Sequence, residues 1–227
     1  MNEHTVTAFD DDLNFLVAKI SEMGGNAESM VARSVTCLLT GDRGMGQAVV
    51  ADDKVLDALQ EEIDDHVVLL IAKRQPMAQD LREVIATMRM ASDIERIGDL
   101  GKNIARRAFQ IDDNLPPKKL QRGIQHLTNV VREQLKDALD AFAEKNVQKA
   151  KAVWERDDEI DNLYTSLFRE LLTYMMEDPR HITYCTHMLF CAKNLERIGD
   201  HVTNLVENTN YIVTGDYDLA GPIEDNQ

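Results

Sequence analysis

The chain is poor in the residues that interrupt helices or build sheets. Aromatic residues make up 5% of its 227 positions and only five prolines occur, a composition that fits a helical protein better than a β-sandwich. Positive charge is also scarce: 25 Lys and Arg stand against 40 Asp and Glu, a formal charge of −15. That balance argues against nucleic acid as a partner. Cysteine is limited to Cys37, Cys185 and Cys191. An odd number with no C-x-x-C motif reads as reduced thiols, buried as small hydrophobes. No apolar run approaches the ~18 residues needed to span a bilayer, and the acidic stretch from Met1 to Asp12 holds no apolar signal segment. The expectation is a soluble, cytoplasmic protein that can still dock on a membrane complex.

What is present is helical periodicity, punctuated by the few breakers. Apolar residues recur at helical spacing in Leu56, Leu59, Ile63, Val67 and Leu70, and again in Leu163, Leu167, Leu171 and Met175. Gly41, Gly44 and Gly46 mark one break, Pro76 and Pro179 mark equivalent breaks in the two halves, and Pro116-Pro117 marks the midpoint. The pattern predicts six long helices, at about 9–40, 46–75, 77–112, 118–144, 147–177 and 180–214. The fold class is therefore all-α: two antiparallel three-helix bundles with pseudo-twofold symmetry, hinged at Asp112 to Lys119. The corresponding domains are residues 1–115 and 116–215, followed by a polar acidic tail, 216–227, expected to fray.

The halves are related by duplication. Glu-Arg-Ile-Gly-Asp occurs at Glu95–Asp99 and again at Glu196–Asp200, an offset of 196 − 95 = 101. One helix earlier, Asp53-x-x-Leu56-Asp57-x-Leu59 returns as Asp157-x-x-Ile160-Asp161-x-Leu163 at an offset of 157 − 53 = 104. Asn103 matches Asn204. A period of about 100 residues denotes duplication of a three-helix unit rather than a solenoid.

In each copy the Glu and Asp stand four apart and share a helix face. They project close to the line of Leu81, Val84, Ile85 and Met88, where a carboxylate is costly unless paired, protonated or metal-bound. The plainer alternative is a solvated flank, since Ile94, Ile97 and Ile104 lie on the other side. Recurrence favours a ligand or ion-pair role for Glu95, Asp99, Glu196 and Asp200. For Asp53/Asp57 and Asp157/Asp161 both readings stay open. If neighbouring helices bring the pairs together, all-oxygen clusters would suit Mg²⁺, Mn²⁺ or iron better than copper or structural zinc. The E-x-x-H of di-iron bundles is missing. Gly98 and Gly199 sit mid-helix, where helix packing is the expected cause. Arg96 and Arg197 can pair with a clamp from the side or bind an anion. His201 adjoins Asp200, but its counterpart is Leu100. No nucleophile–base pair stands out, so a binding protein is favoured over an enzyme.

The paired Glu-Arg-Ile-Gly-Asp motifs, Gln75-Pro76-Met77-Ala78 and Tyr174-Met175-Met176-Glu177-Asp178-Pro179-Arg180 resemble the PhoU family over nearly the whole chain. The resemblance implies a non-enzymatic negative regulator of the phosphate-starvation response. Such a protein couples a phosphate ABC transporter, through its ATPase subunit, to a sensor histidine kinase. It further implies a homodimer and metal ions on the acidic motifs. Ligand roles transfer to Glu95, Asp99, Glu196 and Asp200, then to Asp57, Asp161, Asn103 and Asn204. Asp93 against Asn194, Met90 against Cys191 and Leu100 against His201 break the symmetry, so the two sites need not behave alike. Two rivals are a metal-dependent carboxylate-cluster enzyme and a purely structural helical scaffold.

Overall fold

Local chemistry sets the helix ends. Asp42 opens the second helix by accepting the Met45 backbone N–H on its carboxylate at 2.9 Å, and Gln75 closes it in the left-handed region. Asn146 caps a later helix through Lys149 N–H at 3.1 Å, and left-handed Gly215 ends the last one. The computed structural model describes residues 3–111 and 118–220, and every regular element in them is helical. The first half comprises α1 (Glu3–Thr40), α2 (Arg43–Arg74) and α3 (Gln79–Ala108). The second comprises α4 (Lys118–Ala143), α5 (Val147–Trp154), α6 (Asp157–Glu177) and α7 (Ile182–Thr214), with a 3-10 turn at Pro179–His181 before α7. The expected hinge falls almost wholly outside the described residues, as do Pro116, Pro117 and Pro222.

The duplication is visible in the core. Leu16, Ile20, Met23, Ala27 and Val31 of α1 are buried, and so are Leu120, Ile124, Leu127, Val131 and Leu135 of α4, each 104 positions later. Within the first half α1, α2 and α3 pack together, within the second α4 to α7 do, and α3 packs along α7 and α1 along α4 to join the halves. The α3–α7 pair is antiparallel, with Arg107 against Phe190 near one end and Asp93 against Asn204 near the other. Ion pairs reinforce the junction: Arg132 meets Glu28 at 2.9 Å, and Lys145 reaches the buried Glu83 at 2.7 Å. The three cysteines are free and buried, as expected of small hydrophobes.

Three expectations are corrected. The helix expected at 147–177 is broken between Trp154 and Asp157. Arg156 leaves helical geometry there, and its carbonyl accepts the Gln134 side-chain amide at 3.0 Å. Its guanidinium lies 3.2 Å from Asp137. In the first half Asp52 holds the equivalent position on an unbroken α2 and pairs with Arg33, the counterpart of Asp137. The same bridge is thus kept with its polarity reversed. Secondly, residues 215–220 do not fray. Leu219 is buried, the Asn210 amide donates to the carbonyls of Asp216 and Asp218 at 3.0 Å, and Tyr217 stacks on Tyr211 at 4.2 Å. Thirdly, the α3 core line expected through Leu81, Val84, Ile85 and Met88 holds only at Val84, which is fully buried. Leu81 is exposed, and Ile85 and Met88 are half-buried. The buried face instead runs through Thr87, Met90, Ala91, Ile94, Ile97, Gly98 and Gly101. Small residues carry much of it, because α3 packs closely on α1, α2 and α7.

Candidate functional site

Each half presents a row of carboxylates along one helix pair. On α2 and α3 these are Asp53, Asp57, Glu95 and Asp99; on α6 and α7, Asp157, Asp161, Glu196 and Asp200. Glycine permits the close approach. A Cβ on Gly98 would stand 2.1 Å from the Leu56 Cδ1 atom, and one on Gly199 would stand 2.9 Å from the Ile160 Cδ1 atom. Leu56 and Ile160 are themselves counterparts, so helix packing accounts for both glycines.

The rows differ in what faces them. In the first, Lys102 Nζ lies 2.6 Å from Asp53 and also bonds Asp99, with all three side chains largely buried. Arg96 adds a bond to Asp99 at 3.0 Å and lies 3.5 Å from Glu95. The counterpart of Lys102 is Thr203, whose hydroxyl donates to Asp157 at 3.1 Å. A neutral hydroxyl replaces a buried cation. Lys193 pairs with Glu196 from the rim, and Glu196 Oε2 is left buried without a hydrogen-bond donor. Asp57, Asp161 and Asp200 are exposed.

The two asparagines lie elsewhere. Asn103 is exposed and lines a cleft with Arg106 and Arg107, whereas Asn204 donates to Asp93 at 3.0 Å. His201 Nδ1 is also 2.9 Å from Asp93. Sequence reasoning overlooked the inward-facing roles of Lys102 and Thr203. Comparing the repeats one turn beyond the pentapeptide would have exposed that difference.

The electrostatics follow this arrangement. Glu95 is held above the usual carboxylate range by burial and then by the charge of Asp99. Asp157 is raised by burial, offset in part by Thr203, and raised further by Asp161 and Asp200. Glu207 is raised by burial and by Asp157, Asp93 and Asp218. Burial also opposes ionisation of Asp99, but Lys102 and Arg96 outweigh it and hold the group below its usual value. A raised carboxyl binds its proton more tightly in the folded state. In chelator, the contributions of Glu95, Asp157 and Glu207 therefore make stability rise as pH falls from neutral through their folded values. Asp99, and Asp178 (held to about 2 by Arg180), act oppositely: their stabilisation is lost as pH falls through their lowered values. The urea midpoint is therefore expected to rise as pH falls from 7 toward the ordinary carboxylate range and to fall again below it. A steady decline from pH 7 to 5 would contradict this.

Among the described residues, no group of three or more His, Cys, Asp or Glu side chains is placed to hold a metal ion. The first row does not fit one as built, because Lys102 already supplies the positive charge. The second retains an unused buried oxygen, Glu196 Oε2, and an all-oxygen donor set, the donor chemistry that hard cations take.

Comparison with known proteins agrees with the duplicated fold. A family model described as the PhoU domain matches residues 20–108 and again 124–209. The chain is 54% identical over 212 residues to the phosphate-specific transport system accessory protein PhoU homolog of Rhizobium meliloti (strain 1021), covering 93% of this chain and 90% of that one. It is 48% identical over 216 residues to the homolog so named in Caulobacter vibrioides (strain NA1000 / CB15N), covering 95% and 94%. The crystal structure of PhoU from Pseudomonas aeruginosa superposes with a TM-score of 0.86 at 36% identity, covering 91% of this chain and 99% of that one. The phosphate transport system regulatory protein PhoU from Streptococcus pneumoniae superposes at 0.85 with 27% identity, covering 92% and 99%. With its repeat, its helical fold and both pentapeptides in place, the chain belongs to the PhoU family.

Proposed function

We propose that this protein is a non-enzymatic, cytoplasmic regulator of phosphate uptake and phosphate-starvation signalling. It couples the ATPase subunit of a phosphate ABC transporter to a sensor histidine kinase, and it acts as a homodimer. The relatives' names support the accessory role in phosphate transport. No helix among the described residues is long and apolar enough to cross a membrane, so contact with the membrane would run through these partners. A regulator of this kind needs no chemistry. It binds one state of each partner better than the other and shifts the populations accordingly.

The observation that carries the reading is the pair of acidic rows held on equivalent, closely packed helix pairs. Asp157, Asp161, Glu196 and Asp200 would hold Mg²⁺, Mn²⁺ or iron, while Glu95, Asp99 and Asp57 stand in a row already neutralised in part by Lys102. Bound cation would supply only charge: it removes repulsion of roughly 1–4 kcal/mol per carboxylate pair, depending on local dielectric, and fixes the acidic face that partners meet. Elemental analysis of protein purified without chelator or tag, then repeated in millimolar metal, tests this. Metal content is expected to fall by about half or more in Glu196→Ala/Asp200→Ala and little in Glu95→Ala/Asp99→Ala. Equal loss in both variants would defeat the assignment to one half. Wild type that alters neither kinase autophosphorylation nor transporter ATPase activity, when mixed with both, would defeat the regulatory reading.

A further inference from the structure

The antiparallel α3–α7 pair carries a cleft at each end, and the duplication relates the two. One, of about 750 Å³, is lined by Asn103, Arg106 and Arg107 of α3 and by Lys193, Asn194 and Arg197 of α7. The other, of about 290 Å³, contains the counterparts of most of these: Asn204, Glu207, Asn208, Ser92 and Asp93. The fold is the same, but the charge is reversed. Arg106 corresponds to Glu207, Arg107 to Asn208, Lys193 to Ser92 and Asn194 to Asp93.

The second cleft is occupied by the protein itself. Tyr217 enters it, stacks on Tyr211 and hydrogen-bonds Arg89. The first cleft is open. Among the described residues, neither Arg106, Arg107 nor Arg197 has a carboxylate within 4.0 Å, although 40 acids are available in the chain. Arg107 is held over the half-exposed ring of Phe190 at 4.0 Å, which orients its guanidinium. Its uncompensated charge reaches His187, whose pKa is lowered by burial and then by Arg107.

We infer that this basic cleft binds a small oligophosphate anion, such as a nucleoside triphosphate or inorganic triphosphate. Guanidinium forks match phosphoryl oxygens in bidentate geometry, and several in one concavity suit a ligand with more than one phosphoryl group. The volume lies within the range of small-molecule sites and exceeds the need of one inorganic phosphate. Asn103 and Asn194 add amide donors, and the equivalent position in the other half already accepts a planar ring. The inference does not depend on metal in the acidic rows.

Calorimetric titration of the full chain in metal-free buffer, with inorganic phosphate, triphosphate and ATP as probes, tests it. Triphosphate and ATP are expected to bind one per chain and more tightly than phosphate. Their dissociation constants should rise about tenfold or more in Arg106→Glu/Arg107→Asn. That variant copies the residues of the other half, so the helices tolerate it. Arg197→Gln should weaken binding in the same direction. Arg122→Glu, which changes net charge outside the cleft, should leave binding unchanged. Absence of binding at millimolar triphosphate and ATP, an equal loss in Arg122→Glu, or poly-glutamate binding as tightly as triphosphate would overturn the assignment.

Discussion

Gly98→Val is expected to cost at least about 3 kcal/mol, equivalent to a Tm drop of roughly 6–12 °C. The hydrogen on Gly98 that a side chain would replace points at Leu56, so that even a Cβ would approach Cδ1 to 2.1 Å. Leu56 is itself buried, at 1% exposure, and its neighbours leave it little room to turn away. Valine adds two further carbons at the same point. Its better helix propensity returns only a few tenths of a kcal/mol. Urea midpoints can separate the clash from a general intolerance of α3. Leu56→Ala alone should cost about 2–5 kcal/mol through its cavity. The double variant should lose clearly less than the sum, because the new methyls fill that cavity. Gly25→Ala provides the contrast: its Cβ would meet nothing within 4 Å, so it should gain up to about 1 kcal/mol. Additive losses in the double variant would mean that the Gly98–Leu56 contact is not what requires glycine.

This contact also shows what the sequence could express. Long-range identity revealed the repeat, and apolar spacing located the helices, because both depend on residues large enough to leave a pattern. The buried face of α3 was misplaced because much of it is Ala, Thr and Gly, which read as neutral while marking its closest packing. The break at Arg156 was hidden for another reason: the group that donates to the carbonyl freed from the helix is the Gln134 amide, on a different helix. The acidic residues were found from their spacing. What faces each row was legible only from three dimensions, where Lys102 turns inward to Asp53 and Asp99 and Thr203 takes its place beside Asp157. The same limit concealed the basic cleft, whose arginines, Arg106 and Arg107 on α3 and Arg197 on α7, lie about 90 residues apart in the chain.

Lys102→Met should convert the first acidic row from self-neutralised to metal-dependent. Methionine keeps most of the volume of the stem and removes the ammonium. Asp53, Asp99 and Glu95 then face one another in partly buried surroundings, with Arg96 as the remaining neighbouring cation. Breaking a fully buried pair costs about 3–5 kcal/mol. Because Asp99 retains some exposure, screening lowers the expected loss here to about 2–3 kcal/mol in chelator. Manganese or magnesium at a hundred times its dissociation constant should return about 2.7 kcal/mol, a recovery that wild type is expected to show only through the second row, where the cation is proposed. The reciprocal variant, Thr203→Lys, places an ammonium beside Asp157 and Asp200. It should raise stability in chelator and abolish the metal response, since the lysine neutralises the carboxylates the ion would otherwise hold. Thermal unfolding of both variants, with and without metal, reads the exchange directly. If Lys102→Met gains no metal response while Thr203→Lys retains the original one, residues 102 and 203 do not decide which half takes a cation. If each variant acquires the behaviour of the opposite half, a single pair of duplicated positions accounts for the difference between the rows.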